Sequence, residues 1–196
     1  MRIIGGEARG RPVRLPGGCH IRPTADRVKK SLFDILHPLA GESFLDLYAG
    51  SGNVGLEALS RGAGFVFFVE KDIRLAGSIR SSLDQFGYGQ RAEVIARDAQ
   101  RGIEGLVQRG ERVDLLFADP PYDEGFVSKT LQWLEKGDLL KPGGLVVMQH
   151  SAREMPEGSE IGQLSAIDQR SYGDTVLSFF KGTDLKSVPD SEGRAI

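Results

Sequence analysis

From Ser43 onward the chain repeats one pattern: a short apolar run, a glycine or polar turn, and then a stretch with helical spacing. Phe44 to Tyr48 reads as a strand, and a glycine turn leads into a helix through Leu56, Ala58 and Leu59. "FVFFVE" (65–70) follows as a strand buried on both faces. A helix over Arg74 to Phe86 stops near Gly87, "AEVIARD" (92–98) is the next strand, and Ala99 to Arg109 the next helix. "VDLLFAD" (113–119) is a fourth strand, and another helix runs through Val127, Leu131 and Leu134. "LKPGG" (140–144) is read as a turn into the strand "LVVMQ" (145–149). "QLSAIDQRSYGDTVLSFFK" (163–181) is read as a closing antiparallel pair turning at Tyr172, Gly173, Asp174 and Thr175. Serial βα units predict an α/β fold with a doubly wound, mostly parallel sheet, helices on both faces and an antiparallel strand pair at the C-terminal end.

The flanks behave differently. Residues 1–20 mix β-prone pieces with Gly and Pro and are expected to form a small hairpin arm outside the core. In "RPTADRVKKSLFDIL" (22–36), Thr24 is placed to cap a helix, with Val28, Leu32, Ile35 and Leu36 inward and Lys29 and Lys30 on another face. Residues 21–181 are expected to form the main domain and 182–196, polar and punctuated, a flexible tail.

A net charge of -2 hides an asymmetry, because residues 1–30 hold eight Lys and Arg against Glu7 and Asp26. Arg9, Arg11, Arg14, Arg22 and Arg27 belong to that basic end, which reads either as an anion-binding arm for a phosphate backbone or as a solvated face. No apolar stretch is long enough to span a bilayer and no signal-peptide core opens the chain, so a soluble cytoplasmic protein is expected; a monomer is a separate expectation. Cys19 is the one cysteine and no Cys/His cluster has zinc-ligand spacing, so neither an internal disulfide nor a metal site is expected. His20, His37 and His150 are scattered and read as structural or surface residues, and Trp133 as helix packing.

"LDLYAGSGNVG" (45–55) satisfies G-x-G-x-x-G through Gly50, Gly52 and Gly55, a pattern shared by dinucleotide enzymes and ordinary tight βα turns. The acids separate these readings. Asp46 lies in the first strand, Glu70 ends the second and Asp98 follows the third, so three carboxylates would line the carboxyl edge of the sheet. A pyrophosphate would be repelled by that ring. S-adenosylmethionine carries no phosphate and offers a sulfonium, an ammonium, a ribose diol and an adenine amine for carboxylates to meet.

Taken together, these features resemble the class I, Rossmann-like methyltransferases. The resemblance implies that Asp46, Ala49, Gly50, Ser51 and Gly52 hold the amino-acid part of the cofactor. It assigns the ribose to Glu70, places Asp98 and Ala99 on the adenine side, and adds Tyr48, Lys71 and Asp119 to the cofactor pocket. "DPPY" (119–122) is similar to the Asp/Asn-Pro-Pro-Tyr signature of amino-group methyltransferases. The chemistry fits. An exocyclic amine is a poor nucleophile while its lone pair is conjugated into the ring, and the Asp119 carboxylate and the Pro120 carbonyl can each accept an N–H and aim the emerging lone pair. The prolines stiffen the turn, and Tyr122 with Pro121 offers a surface for a base. That signature alone allows adenine N6, guanine N2 or a glutamine side-chain amide, with Asp rather than Asn at its first position weakly favouring a base.

"RPTADRVKKSLFDIL", "FLDLYAGSGNVGLEALSRGA", "FVE", "DPPY" and "RSYGDTVLSFF", in this order across residues 1–181, resemble the RsmD family of bacterial 16S rRNA guanine-N2 methyltransferases. That resemblance implies S-adenosylmethionine as cofactor, the small ribosomal subunit or its 16S rRNA as substrate, an rRNA-gripping arm, and Arg22, Pro23, Thr24 and Arg27 near the pocket. The competing readings are a DNA adenine-N6 or protein glutamine-amide methyltransferase, an NAD-dependent oxidoreductase, and a non-catalytic RNA-binding assembly factor.

Overall fold

A computed structural model describes residues 1–19, 25–36, 38–154, 160–161 and 164–182. His20, Arg22, Pro23, Thr24, His37 and the segment 183–196 lie outside the described residues, and with them the expected Thr24 cap and all of the tail beyond Gly182. The elements in chain order are α1 (Asp26–Leu36), β1 (Ser43–Leu47), α2 (Asn53–Ser60), β2 (Phe65–Val69), α3 (Ile73–Phe86), β3 (Ala92–Ile95), α4 (Ala99–Gln108), β4 (Val113–Ala118), α5 (Phe126–Lys136), β5 (Leu140–Ser151), β6 (Glu160–Ile161), β7 (Leu164–Tyr172) and β8 (Thr175–Gly182).

The eight strands form one sheet in the order β3-β2-β1-β4-β5-β8-β7-β6. The first five in that order pair in parallel, while β8 pairs antiparallel with both β5 and β7, closing through the expected turn at Gly173 and Asp174. The chain leaves β1 toward β2 and β3, then returns to start β4 on the other side. A crevice therefore opens above the carboxyl ends of β1 and β4, the usual ligand position in such sheets.

Both faces of the sheet are covered, which is why its central strands read as continuous apolar runs. Phe44, Val66, Phe68, Phe117 and Val147 pack against α1, α2 and α3. Leu45, Leu47, Val69, Leu116 and Met148 pack against α4 and α5. Gly55 allows α2 to sit directly on β2, since a Cβ there would lie 2.3 Å from the Phe68 ring. Gly55→Ala is expected to destabilise the fold by roughly 1–3 kcal/mol by overpacking. Urea unfolding measures this, and Phe68→Leu in the same chain should restore part of the loss.

Three expectations change. The arm is part of the core: Ile3, Ala8 and Val13 are buried against α1 and α2, and Arg2 and Pro12 make one antiparallel bridge. In α1, Ile35 is 41% exposed while Lys29, expected outward, is fully buried; Phe33 takes the inward place. Lys29 can be inside because Glu57 of α2 lies 3.2 Å away and the Arg2 carbonyl and Asn53 Oδ1 also accept from its ammonium. Finally, "LKPGG" is no separate turn. It forms the irregular start of β5, with Gly143 at φ 73 and a register shift against β4 between Val113 and Leu115.

Candidate active site

Above the β1/β4 divide lies a cavity of ≈ 980 Å³. Its floor is the loop from β1 to α2. Tyr48, at φ 64, and Gly50, at φ 55, turn the backbone through the left-handed region; a non-glycine residue there is uncommon and frequent at functional sites. Ala49 N–H donates to the Val69 carbonyl at 3.0 Å and Gly52 N–H to the Ala49 carbonyl at 2.7 Å, closing the turn. Tyr48, Ala49, Gly50 and Ser51 line the cavity. Gly52 does not; it caps α2 from below at φ 73, where a Cβ would come 2.9 Å from Ile79 Cγ1.

The carboxylates stand where the spacing placed them. Asp46 Oδ2 accepts the Gly55 N–H at 2.8 Å. Glu70 uses one oxygen for the Gly50 N–H at 2.7 Å and the other for the Asp72 N–H at 2.8 Å. Two backbone donors of the glycine turn are thus already engaged by carboxylates, where a dinucleotide site would present such donors to a pyrophosphate. Asp98 Oδ1 accepts the Arg101 N–H at 3.0 Å and so caps α4, while Lys71, Asp98 and Ala99 border the far end of the cavity.

Burial pushes the Asp46 carboxyl well above the ordinary carboxylate range; the Gly55 N–H opposes this, and the charges of Asp119 and Glu70 add to it. Because the folded state binds this proton more tightly than the unfolded chain, the contribution to stability is fully present below the unfolded pKa of 3.8 and lost as pH rises through the higher folded value. Asp46→Asn keeps an oxygen for Gly55 without the charge. Its stability advantage over the native chain should therefore grow as pH rises above about 4. Urea unfolding across that range gives the answer, and a constant difference would contradict it.

β4 delivers "DPPY" to the opposite wall. Asp119 N–H still reaches the Leu47 carbonyl at 3.4 Å, after which Pro120 and Pro121 have no N–H to extend the ladder. Asp123, at φ 60, turns the chain toward Gly125, which precedes α5. Asp119, Pro120, Pro121 and Tyr122 all border the cavity, as do Phe126, Lys129 and Trp133 of α5. Trp133, read as helix packing, does pack on the core as well as bordering the cavity. Tyr48 hydroxyl and Thr130 Oγ1 lie 2.7 Å apart, tying the floor to α5.

The basic residues are set apart from this wall. Arg9, Arg14 and Arg27 are exposed. Arg11 places its guanidinium 4.1 Å from the Phe86 ring centroid and donates to the Gln85 carbonyl. The start of α1 reaches the rim through Ala25 and Val28. Tyr172, on the closing hairpin, hydrogen-bonds Ser31 of α1, and Thr175 joins the cavity wall. His150, read as structural or surface, is buried, between the Ser151 carbonyl and Ser178 Oγ, each at 2.8 Å. Sequence reasoning missed Asn53 and Gln149. Both are buried and border the cavity; Asn53 Nδ2 and Gln149 Oε1 have no hydrogen-bond partner among the described residues. A polar residue at an otherwise apolar strand position, as Gln149 is, is the only signal that could have found it.

The family model described as "Conserved hypothetical protein 95" matches residues 1–181, and ribosomal RNA small subunit methyltransferase D of Escherichia coli is 35% identical over 150 residues, 76% of this chain and 74% of that protein. The chain belongs to the RsmD family. YlbH of Bacillus subtilis is 34% identical to this RsmD-family chain over 183 residues, 92% of it and 98% of that protein. The solved structure of yhhF from Escherichia coli superposes with a TM-score of 0.82 at 28% identity, covering 93% of this chain and 98% of that one. The doubly wound, mostly parallel sheet expected from the βα alternation is observed, and it is the Rossmann-like methyltransferase fold that the resemblance implied.

Proposed function

We propose that this protein is an S-adenosylmethionine-dependent methyltransferase acting on the N2 amine of a guanine in 16S rRNA. The observation that carries the reading is the facing of two walls across one cavity: the carboxylate-lined glycine turn with Asp46, Glu70 and Asp98, and the Asp119-Pro120-Pro121-Tyr122 turn. Its relative in Escherichia coli is named for small-subunit rRNA methylation.

The residues present fit the cofactor. Asn53 Nδ2, an orphaned buried donor beside the glycine turn, suits a carboxylate, and Asp46 with Ala49, Gly50 and Ser51 suits the rest of an amino-acid moiety. Glu70, held in place by two backbone N–H groups, keeps lone pairs for a ribose diol. Lys71, Asp98 and Ala99 flank the adenine end. When bound, S-adenosylmethionine supplies a methyl group activated by its sulfonium. Asp119 and the Pro120 carbonyl hold the two N–H groups of the target amine, which takes its lone pair out of conjugation and aligns it for in-line attack. Asp119 then accepts the proton that nitrogen loses as the N–C bond forms. Tyr122 and Pro121 form the surface on which the base stacks.

The same turn argues against NAD, because the Gly50 and Gly55 N–H groups are already held by Glu70 and Asp46. Residues 1–20, with Arg9 and Arg14 exposed, together with Arg22, Thr24 and Arg27, are the basic unit by which a cytoplasmic, monomeric enzyme grips RNA. Replacing Arg9, Arg11 and Arg14 together by Ala should weaken RNA binding and lower the slope of log K against log salt by about 0.7–0.9 for each phosphate no longer neutralised. Cofactor affinity, read by calorimetry, should stay unchanged; an equal loss there would make the arm part of the pocket.

The test of the whole reading offers labelled S-adenosylmethionine with small subunits lacking base methylation, naked rRNA and duplex DNA in parallel. Label in the RNA arms supports it. Label in DNA alone would move the substrate, and cofactor and RNA binding without transfer would leave a non-catalytic assembly factor.

A further inference from the structure

Among the polar groups bordering the cavity, the Gln149 side chain has an arrangement that the methyl-transfer chemistry leaves unused. Gln149 is 5% exposed. Its Nε2 donates to the Tyr122 hydroxyl at 3.2 Å, which fixes the amide plane, and its Oε1 has no partner among the described residues. A buried acceptor left without a donor forfeits its hydration for nothing, so its persistence beside the base-stacking tyrosine calls for an explanation.

Register places the residue. Ala118 of β4 is opposite Met148 of β5, so the next residues along these parallel strands, Asp119 and Gln149, stand side by side at the carboxyl edge. Adjacent strands are about 4.8 Å apart. An acceptor that binds the target amine therefore has a second acceptor as its lateral neighbour.

That pair of acceptors matches one amine-bearing base. Adenine N6 is flanked by the bare N1 and cytosine N4 by the bare N3, both of which would set lone pair against lone pair beside Gln149. A glutamine amide flanks its nitrogen with a carbonyl oxygen. Guanine alone carries a ring N–H, at N1, next to its exocyclic amine. We infer that Gln149 is the residue that selects guanine, its Oε1 accepting the N1–H while Asp119 and the Pro120 carbonyl hold the N2 amine. This inference rests on the amine-methylation reading of the same site and deepens it. Gln149 acts through recognition of the base, and Tyr122 keeps it oriented.

The test is a cycle between side chain and substrate atom. Once the methylated nucleotide is mapped, 16S rRNA is ligated with either guanine or 2-aminopurine at that position and assembled into small subunits. 2-Aminopurine keeps the N2 amine and has a lone pair in place of the N1–H. With guanine, Gln149→Leu should lower kcat/KM by about 10- to 100-fold. With 2-aminopurine the same substitution should leave it unchanged or raise it, so that the preference of the native enzyme for guanine collapses. Gln149→Glu, which retains an acceptor, should preserve that preference. It also serves if the leucine variant does not fold. Comparing each variant on both substrates cancels the difference in intrinsic amine reactivity. Equal losses on both would reduce Gln149 to a structural support and overturn the inference, as would loss of guanine preference in Gln149→Glu. Failure of the underlying reading looks different: the native enzyme would then place no methyl on guanine N2 at all.

Discussion

Asp119→Ala should lower the rate of methyl transfer by about 10³-fold while the protein stays folded, the loss typical of removing one preorganised partner of the reacting group. The carboxylate is proposed both to hold an amine N–H and to accept the departing proton, so neither role survives in alanine. The backbone that positions it does survive, because the Asp119 N–H to Leu47 carbonyl bond and the two following prolines are independent of the side chain. Asp119→Asn separates the roles. It keeps an acceptor for the amine without a base for the proton, and its rate should fall between those of the native and alanine enzymes. Single-turnover assays with saturating cofactor measure both, with thermal unfolding as the control. Full activity in Asp119→Ala would remove this residue from the chemistry.

The second large effect is on stability. Glu57 is fully buried and its two oxygens serve three donors: Lys29 Nζ at 3.2 Å, Arg61 Nε at 2.7 Å and the Ile4 N–H at 2.8 Å. Burial pulls the Lys29 pKa down and the Glu57 charge pulls it back up. Glu57→Ala leaves a buried ammonium without its counter-charge, and the expected loss is about 3–5 kcal/mol, a drop of roughly 10 °C in melting temperature for a chain of this size. The arm should loosen as well, since Ile4 N–H is left without its acceptor. Amide exchange at Ile4 should quicken well before global unfolding in the variant. A loss below about 1 kcal/mol would contradict this account, because giving up its proton at about pH 7 would cost Lys29 roughly as much as being stranded, at about 1.4 kcal/mol for each pH unit below its ordinary pKa.

The placement of Glu57 shows what a linear pattern conveys and what it hides. Strands β1, β2 and β4 could be read from the sequence because a strand buried on both faces is a continuous apolar run, and Gly87 marked the end of α3 through its left-handed cap at φ 79. Asp46, Glu70, Asp98 and Asp119 could be placed at one sheet edge because strand ends set their positions. Lys29 could not be placed. Helical periodicity sends a lysine outward, and only a carboxylate on another helix, 28 residues later, makes its burial tolerable. Ile3, Ala8 and Val13 hid for a related reason, since an irregular arm has no period by which to sort inward from outward residues. Gln149 belongs to no motif, and Asn53 stands at an unspecified position of the glycine motif; their meaning comes from what lies across the cavity.

The most direct measurement is the identity of the methylated nucleoside. Small subunits modified with labelled S-adenosylmethionine are digested and their nucleosides resolved by mass and retention. The account predicts label in N2-methylguanosine alone. Label in N6-methyladenosine, or in a glutamine of a ribosomal protein, would contradict it.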